Sequence, residues 1–346
     1  STPFCTPLSL TLSLVLFLNT TASTVVPLAI APSPRVSSLA TCVGKLVLGT
    51  YIAKGAKWMH YTLLQSFVCV VLVLWPHDII YAVHEACAAV AWPAVWWRLR
   101  DQSSGLWMAC MSMRLGSTVG SLLFYSCNWP VTSWLWGAAY VLLWSAALLY
   151  RFVPHQSTNY SKNILRQFTS PTLWILACAH AGSCWIRAAE RSGIVLRYIQ
   201  GLGLSDIYAQ ALGTGTACGL LVGGRWFWTG RPVRVVQYMY ALAVLSCFLL
   251  SWTKTPWYFS VLALGGLGAG TAVPFYTIPS LSKSVYVAYL DGLGFGLASY
   301  VQADWYLVGL ALIVCGVIMV EYVDHWERSQ KLKDEERHGV LETSVL

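Results

Sequence analysis

Basic residues inside apolar stretches are the first candidates for chemistry in this sequence. Arg187 and Arg191 are four residues apart in one apolar run, so on a helix they share a face. Two cations on one face favour an anion near them, because a guanidinium can fork onto phosphate oxygens with two parallel hydrogen bonds. Lys45 and Arg114 lie inside other apolar runs and would add positive potential. The pattern predicts a binding site for a small anion.

Each of these cations also has a structural interpretation. Arg191 could form an ion pair with Glu190, or a cluster with Glu190 and Arg187. Lys45 could extend its ammonium group to the membrane interface, and Arg114 could lie close enough to a helix end to reach water. The sequence leaves both interpretations open.

Three further ionisable residues lie within apolar runs. His84 and Glu85 are adjacent and could take part in proton coupling, because histidine titrates near neutrality. The alternative is a helix end in contact with water, which the nearby His77 and Asp78 favour. Asp291 precedes a glycine-rich stretch, where a packing or capping role is expected and a gating role is the alternative.

The composition indicates that these residues lie in a membrane protein. The chain has 346 residues, of which 57% are hydrophobic and only 10% are charged. About one quarter of a soluble domain is charged, and a soluble protein could not hide this much apolar surface from water. The 18 Trp and 18 Tyr residues fit the membrane interface, where amphipathic rings are enriched.

The net charge of +8 does not indicate nucleic-acid binding, because the basic residues lie in short gaps between apolar runs. The sequence contains no Ser/His/Asp constellation and no His/Cys cluster at metal-ligand spacing. We therefore expect no enzymatic activity and no cofactor. The 11 cysteines are scattered along apolar runs and are interpreted as small hydrophobic residues.

Apolar runs of about 20 residues predict twelve membrane-spanning helices. The predicted spans are 8–31, 36–53, 59–75, 79–97, 105–127, 131–152, 171–198, 206–226, 233–252, 256–279, 284–302 and 304–324. The first run is interpreted as a span and not as a signal peptide, because no positively charged region precedes it.

The loops between these spans differ in charge. Alternate loops carry Lys54, Lys57, Arg98, Arg100, Arg151, Lys162, Arg166, Arg225, Arg231, Arg234 and Lys283. The opposite loops carry only Arg35 and Lys254. Because basic loops stay on the cytoplasmic side, this bias predicts that both termini face the cytoplasm or an equivalent compartment such as a stroma or matrix.

A polar connection divides the chain. Residues 153–170 form a linker between an N-terminal half of six helices, 1–152, and a C-terminal half of six helices, 171–324. The remaining residues, 325–346, form a tail with charges of both signs.

Several local strings resemble the major facilitator superfamily, and most closely its organophosphate/phosphate antiporter branch. The segment from Gly44 to Lys57 resembles the family loop between helices two and three. Ala91-Trp92-Pro93 resembles the family's Gly-Trp-Pro on helix four, and Arg191-Ser192-Gly193-Ile194 resembles its Arg-x-Gly-Ile on helix seven. Leu290-Asp291-Gly292-Leu293-Gly294 is similar to a string on helix eleven.

The resemblance implies an all-α membrane fold of two six-helix halves related by pseudo-symmetry. It also implies that Arg191 holds the substrate phosphate and that Lys45 matches a lysine of the branch. Gly49 and Lys54 match the first loop motif of the family, and Gly224 and Arg231 match its repeat in the second half. These four residues would therefore act in gating.

Two features depart from the family pattern. The acid expected four residues after the motif glycine is Ala53 in the first half and Trp228 in the second. In the family this acid helps to latch and release the two halves. An arginine expected in helix one is absent, and Asn19 or Thr20 occupies its position.

Two functions from different classes remain open. The first is a secondary transporter that exchanges an organic phosphate or related small anion by alternating access. The second is a transport-inactive structural subunit of a larger membrane complex, which the missing acids favour. Its contact face would use tryptophans that could equally be interfacial, namely Trp92, Trp96, Trp97, Trp134 and Trp136. Membrane lipid is a partner under both hypotheses, and a plasma membrane, an endomembrane and an organelle inner membrane all fit.

Overall fold

The computed structural model describes residues 6–99, 102–153 and 286–300, together with isolated positions between 174 and 335. Within these residues the regular structure is entirely helical. The helices are α1 (Pro7–Ile30), α2 (Pro34–Val43), a π-helical segment (Gly44–Leu48), α3 (Gly49–Ala53), α4 (Trp58–Leu74), α5 (Asp78–Ala89), α6 (Ala91–Leu99), α7 (Ser103–Ser126), α8 (Val131–Phe152) and α9 (Tyr286–Ala298).

The six spans predicted between residues 8 and 152 are present as helices whose ends lie within two residues of the predicted bounds. Four described helices are long and apolar enough to cross a membrane: Pro7–Ile30, Arg35–Ala53, Asp78–Leu99 and Val131–Phe152. Helix α4 is apolar but shorter. The predicted spans at 171–198, 206–226, 233–252, 256–279 and 304–324 lie outside the continuously described ranges.

Local sequence explains where the first helix begins and ends. Thr6 and Ser9 form a capping box, in which each side chain accepts a hydrogen bond from the other residue's backbone N–H. Pro7 occupies the first turn, where its missing N–H is not needed. The helix ends at Ala31, which adopts a left-handed conformation with φ of 52°. The prolines that follow start the second span.

The second and fourth spans are both irregular near their centres. In the second span, α2 passes through the π-helical segment into α3, and this segment contains Lys45. The fourth span is interrupted at Val90, between α5 and α6. Pro93 explains this break, because proline has no N–H to donate to the carbonyl of residue 89 and its ring crowds that carbonyl. Such irregular turns inside helices are frequent at functional sites.

Glycines set the distances between the central helices. An added Cβ at Gly44 would lie 2.2 Å from the carbonyl oxygen of Ala86, so the second span packs directly on the backbone of α5. Gly49 lies against the ring of Pro93 of α6, with an added Cβ 3.3 Å from Pro93 Cγ. Gly116 and Gly120 of α7 lie against the backbone of α1, with an added Cβ 2.5 Å and 2.7 Å from the nearest carbonyl oxygens. These contacts are of the small-residue type that allows membrane helices to approach closely.

The structure corrects the expectation that five tryptophans form an interfacial or contact face. Trp92, Trp96, Trp97 and Trp134 are buried inside the helix bundle and do not form an outer face. Trp136 is 54% exposed, and it lies on α8 together with exposed Tyr140 and Trp144 at a spacing of four residues. The sequence could not separate these groups because interior and lipid-facing positions are both apolar in a membrane.

Gly44 gives a direct test of the packing. We expect Gly44→Ala to lower the free energy of unfolding in detergent by about 1–3 kcal/mol, because the new methyl group overlaps the α5 backbone. The matched control is Gly137→Ala on α8, where nothing lies within 4 Å of an added Cβ and alanine favours the helix. Equal thermal stability of the two variants would contradict this packing.

Candidate functional site

A buried ion pair joins the second span to α9. The ammonium group of Lys45 donates to the carboxylate of Asp291, across a sequence separation of 246 residues. Lys45 is 6% exposed and Asp291 is 2% exposed. Lys45 comes from the π-helical segment, and Asp291 comes from the middle of α9. The pair therefore connects an N-terminal span to the C-terminal part of the chain.

The surroundings of the pair are mostly apolar and closely packed. The Lys45 Nζ atom lies 5.6 Å from the centre of the Phe295 ring, within the range of a cation–π contact. The Cys184 Sγ atom lies 3.7 Å from both the backbone oxygen and Oδ1 of Asp291. An added Cβ at Gly292 would lie 3.0 Å from Lys45 Cβ, so glycine is needed for α9 to approach the second span.

Glu85 lies in a second buried group of polar side chains, between α5 and α2. Its two carboxylate oxygens accept hydrogen bonds from Thr41 Oγ1 at 2.9 Å and from Tyr81 Oη at 3.1 Å. Ser37 Oγ lies 3.3 Å from the same tyrosine hydroxyl. One donor from α2 and one from α5 itself thus hydrogen-bond to a carboxyl group whose charged form burial alone would disfavour.

His84 connects this group to a third one formed by α1 and α4. The Gln65 Nε2 atom lies 3.2 Å from His84 Nε2 and 2.7 Å from Ser23 Oγ. Asn19 Nδ2 donates to Gln65 Oε1 at 3.1 Å. Because His84 also stacks on the Tyr81 ring, with centroids 6.2 Å apart, the two groups are contiguous from α1 to α2. We call the residues Asn19, Ser23, Ser37, Thr41, Gln65, Tyr81, His84 and Glu85 the polar network.

The structure distinguishes the interpretations that the sequence left open. His84 and Glu85 are 0% and 1% exposed, so the expected water-exposed helix end is wrong for both. The ammonium group of Lys45 is buried and paired, and it does not extend to the interface. Asp291 is the partner of that lysine, and the packing or capping role expected from sequence missed this contact.

The structure describes three of the other predicted residues. Gly49 is buried against Pro93, whereas Lys54 is exposed in the following loop. Arg114 is half-buried on α7, and its carbonyl accepts a hydrogen bond from Thr118. Arg187, Arg191, Gly224 and Arg231 lie outside the described residues.

Sequence reasoning missed most of the polar network. Its members include Ser37 with Thr41 and Tyr81 with Glu85, which are pairs four residues apart inside apolar spans and therefore share helix faces. That spacing of polar residues could have predicted a polar face on each of the two helices. Asn19, noted above only as the replacement for an arginine, is buried and contributes its amide to the network.

The fold is that of known membrane transporters. The structure of the human organic anion transporter MFSD10 (TETRAN) matches with a TM-score of 0.70 and 12% identity, over 91% of this chain and 100% of that chain. The transporter FucP of the major facilitator superfamily, in its outward conformation, matches with a TM-score of 0.64 and 13% identity, over 93% and 99%. A bacterial homologue of the human lysosomal transporter Spinster matches with a TM-score of 0.58 and 14% identity, over 96% and 99%.

The chain is thus a multi-pass α-helical membrane protein. It has the major facilitator fold, as the resemblance implied. No protein-family model and no curated protein sequence matches the chain.

The ion pair can be tested by a double-mutant cycle. Lys45→Gln and Asp291→Asn each leave one buried charge without this counter-charge, and we expect each to lower the free energy of unfolding by about 3–5 kcal/mol. The double variant, which is neutral at both positions, should be more stable than either single variant. Unfolding in mixed detergent micelles measures all four proteins. Lys54→Gln, at an exposed cation, is the control, and additive losses would contradict the pair.

Proposed function

We propose that the protein is a secondary transporter that moves a small organic anion by alternating access. The supporting observation is the buried pair of Lys45 and Asp291. Ionisable side chains inside membrane spans are energetically expensive and mark transport pathways by default. This pair joins two spans from distant parts of the chain. In alternating access such spans move relative to each other, so a contact between them can form in one conformational state and break in the other.

The pair suggests how an anion could be coupled to the conformational change. When the second span and α9 are in contact, the carboxylate of Asp291 pairs with the ammonium group of Lys45. When they separate, an anionic solute would replace Asp291 as the partner of the ammonium group. Binding energy from the solute would then offset the loss of the internal pair, so the open state is populated when solute is present.

An organic phosphate is the solute class that we propose. Its support is the resemblance to the organophosphate antiporter branch, in which Arg191 would clamp the phosphoryl group. Arg187, four residues earlier, and Arg114 of α7 would add positive potential. The similarity in fold to a human organic anion transporter agrees with an anionic solute.

The polar network is our candidate for the coupling site. Glu85 and His84 are adjacent titratable groups. Thr41 of α2 and Tyr81 of α5 donate to Glu85, and Gln65 of α4 lies within hydrogen-bond distance of His84. Uptake of a proton by Glu85 would remove the charge that Thr41 and Tyr81 now stabilise. Gly49, Lys54, Gly224 and Arg231 are retained as candidates for gating at the loop motifs, and both termini are proposed to face the cytoplasm or its equivalent.

The alternative, a transport-inactive structural subunit, rests on the missing acids at Ala53 and Trp228. Burial of Trp92, Trp96, Trp97 and Trp134 removes most of the aromatic contact face that this hypothesis would use. A subunit of this kind would co-purify with a larger complex and would move no solute after reconstitution.

Uptake of radiolabelled organic phosphates into proteoliposomes tests the transporter hypothesis. We expect Lys45→Gln to raise the KM about tenfold, because a charge-assisted contact to the anion is lost. Asp291→Asn should lower the KM, because the internal competitor for Lys45 is removed. Arg151→Gln, at an exposed cation of α8, is the control.

These opposite shifts separate binding from structure. A purely structural pair would lower stability in both variants without moving the two KM values in opposite directions. Failure of the wild-type protein to move any phosphate ester or other organic anion would contradict the transporter hypothesis and favour the structural subunit.

Proton coupling has a separate test. With an imposed pH gradient, we expect the wild-type protein to accumulate solute above its equilibrium level. Glu85→Gln, which mimics the protonated side chain, should keep solute exchange but lose this accumulation. Ser145→Ala is the control, because buried Ser145 donates to the Val141 carbonyl of its own helix at 2.9 Å and is not a member of the polar network. Accumulation by Glu85→Gln equal to that of wild type would contradict the assignment.

A further inference from the structure

A second cationic site lies at the membrane face, away from the ion pair and the polar network. It is a cavity of about 180 Å³ where the start of α4 meets the ends of α6 and α8. The residues that carry the argument are Lys57, Trp58, Arg98, Tyr150 and Val153. Lys57 and Tyr150 are exposed, so the mouth of the cavity lies at the surface.

The cavity has the electrostatics of an anion site. Among the described residues, the charged ones that line it are Lys57 and Arg98, and both are basic. The α6 helix ends here, and Arg98 in its last turn offsets the negative end of the α6 dipole.

Two residues that line the cavity each carry a buried donor atom. The Trp58 Nε1 and Arg98 Nε atoms are buried and have no hydrogen-bond partner in the described part of the chain. Trp58 is only 2% exposed, so its indole N–H is not simply hydrated at the surface. A buried donor without an acceptor is unfavourable, so small side-chain shifts that brought these atoms to an oxygen-rich group in the cavity would be favoured.

The N-terminus of α4 adds further donors. Lys57 is the N-cap residue of this helix of 17 residues, and no side chain caps its first turn. Lysine has no acceptor atom with which to do so. The N–H of His60 bonds to the Lys57 carbonyl at 3.1 Å, and the preceding N–H groups of the turn, with the positive end of the helix dipole, favour phosphate or another anion.

The level of the cavity in the membrane points to the source of the anion. It lies where three membrane helices end, which is the level of lipid headgroups. Trp58 and Tyr150 are residue types that are enriched at this level. Exposed Leu64 and Phe67 of α4 and exposed Leu143 of α8 continue along the two helices, where acyl chains would pack.

We propose that this cavity binds the phosphate group of an anionic phospholipid. Lys57 and Arg98 supply the opposite charge, and Trp58 Nε1, Arg98 Nε and the first turn of α4 donate hydrogen bonds. Lipid binding at this site does not require solute transport, so the two proposals can be tested separately.

Native mass spectrometry of the full chain, titrated with phosphatidylglycerol in a mild detergent, tests the proposal. We expect phosphatidylglycerol to bind in preference to phosphatidylcholine. Lys57→Gln should weaken binding about fivefold, which is the usual effect of one cation near a membrane surface. Trp58→Phe keeps the ring but removes the N–H, and it should weaken binding by a similar factor. Arg151→Gln, beside Tyr150 but outside the cavity wall, should change binding less than twofold.

Two results would overturn the proposal. The first is equal weakening by Arg151→Gln and Lys57→Gln, with no effect of Trp58→Phe, because it would mean that binding follows surface charge alone. The second is complete displacement of phosphatidylglycerol by excess inorganic phosphate, with phosphate binding weakened by the same Lys57 and Trp58 variants. This result would identify the cavity as a site for free phosphate. Lys57→Gln and Trp58→Phe are the primary variants because Arg98→Gln changes a half-buried side chain and could prevent folding.

Discussion

The absence of water inside a membrane is the constraint on which the rest of this structure depends. An unpaired ammonium or carboxylate group in such an environment is strongly unfavourable, and Lys45 and Asp291 meet that constraint by neutralising each other. Their contact requires α9 to approach the second span closely, and Gly292 permits this approach because it has no side chain at the point where Lys45 Cβ lies. The ion pair therefore depends on glycine at position 292.

The same constraint explains the polar network. Glu85 is buried without becoming an isolated charge because hydroxyl groups from two helices donate to it. Asn19 and Gln65 satisfy each other across α1 and α4, and His84 joins the two groups. Networks of this kind fix helices in register because each member has few alternative partners, and a change of protonation at one position alters the whole set.

The ion pair and the polar network would contribute to the proposed mechanism in different ways. The ion pair is a contact between distant parts of the chain, and it can open only if spans separate. The polar network lies within the N-terminal helices, where Gly44, Gly49, Gly116 and Gly120 hold backbones close together. Tight packing among the described N-terminal helices and a charged contact from them to α9 are compatible with rocking motion of rigid units about a central site. The sequence lacks the loop acids at Ala53 and Trp228, and under the proposed mechanism the Lys45 pair would supply a charged contact between spans in their place.

The sequence by itself determined the spans in the N-terminal part, because length and hydrophobicity suffice to define a helix that must satisfy its own backbone in lipid. It also identified Lys45, His84, Glu85 and Asp291, because charges are rare in such segments. Only the tertiary structure decided that Lys45 and Asp291 are partners, that Trp96 points inward while Trp136 points outward, and that Trp58 and Arg98 share a cavity. The reason is physical: lipid and protein interior are equally apolar, so hydropathy carries no information about which face of a helix meets which neighbour.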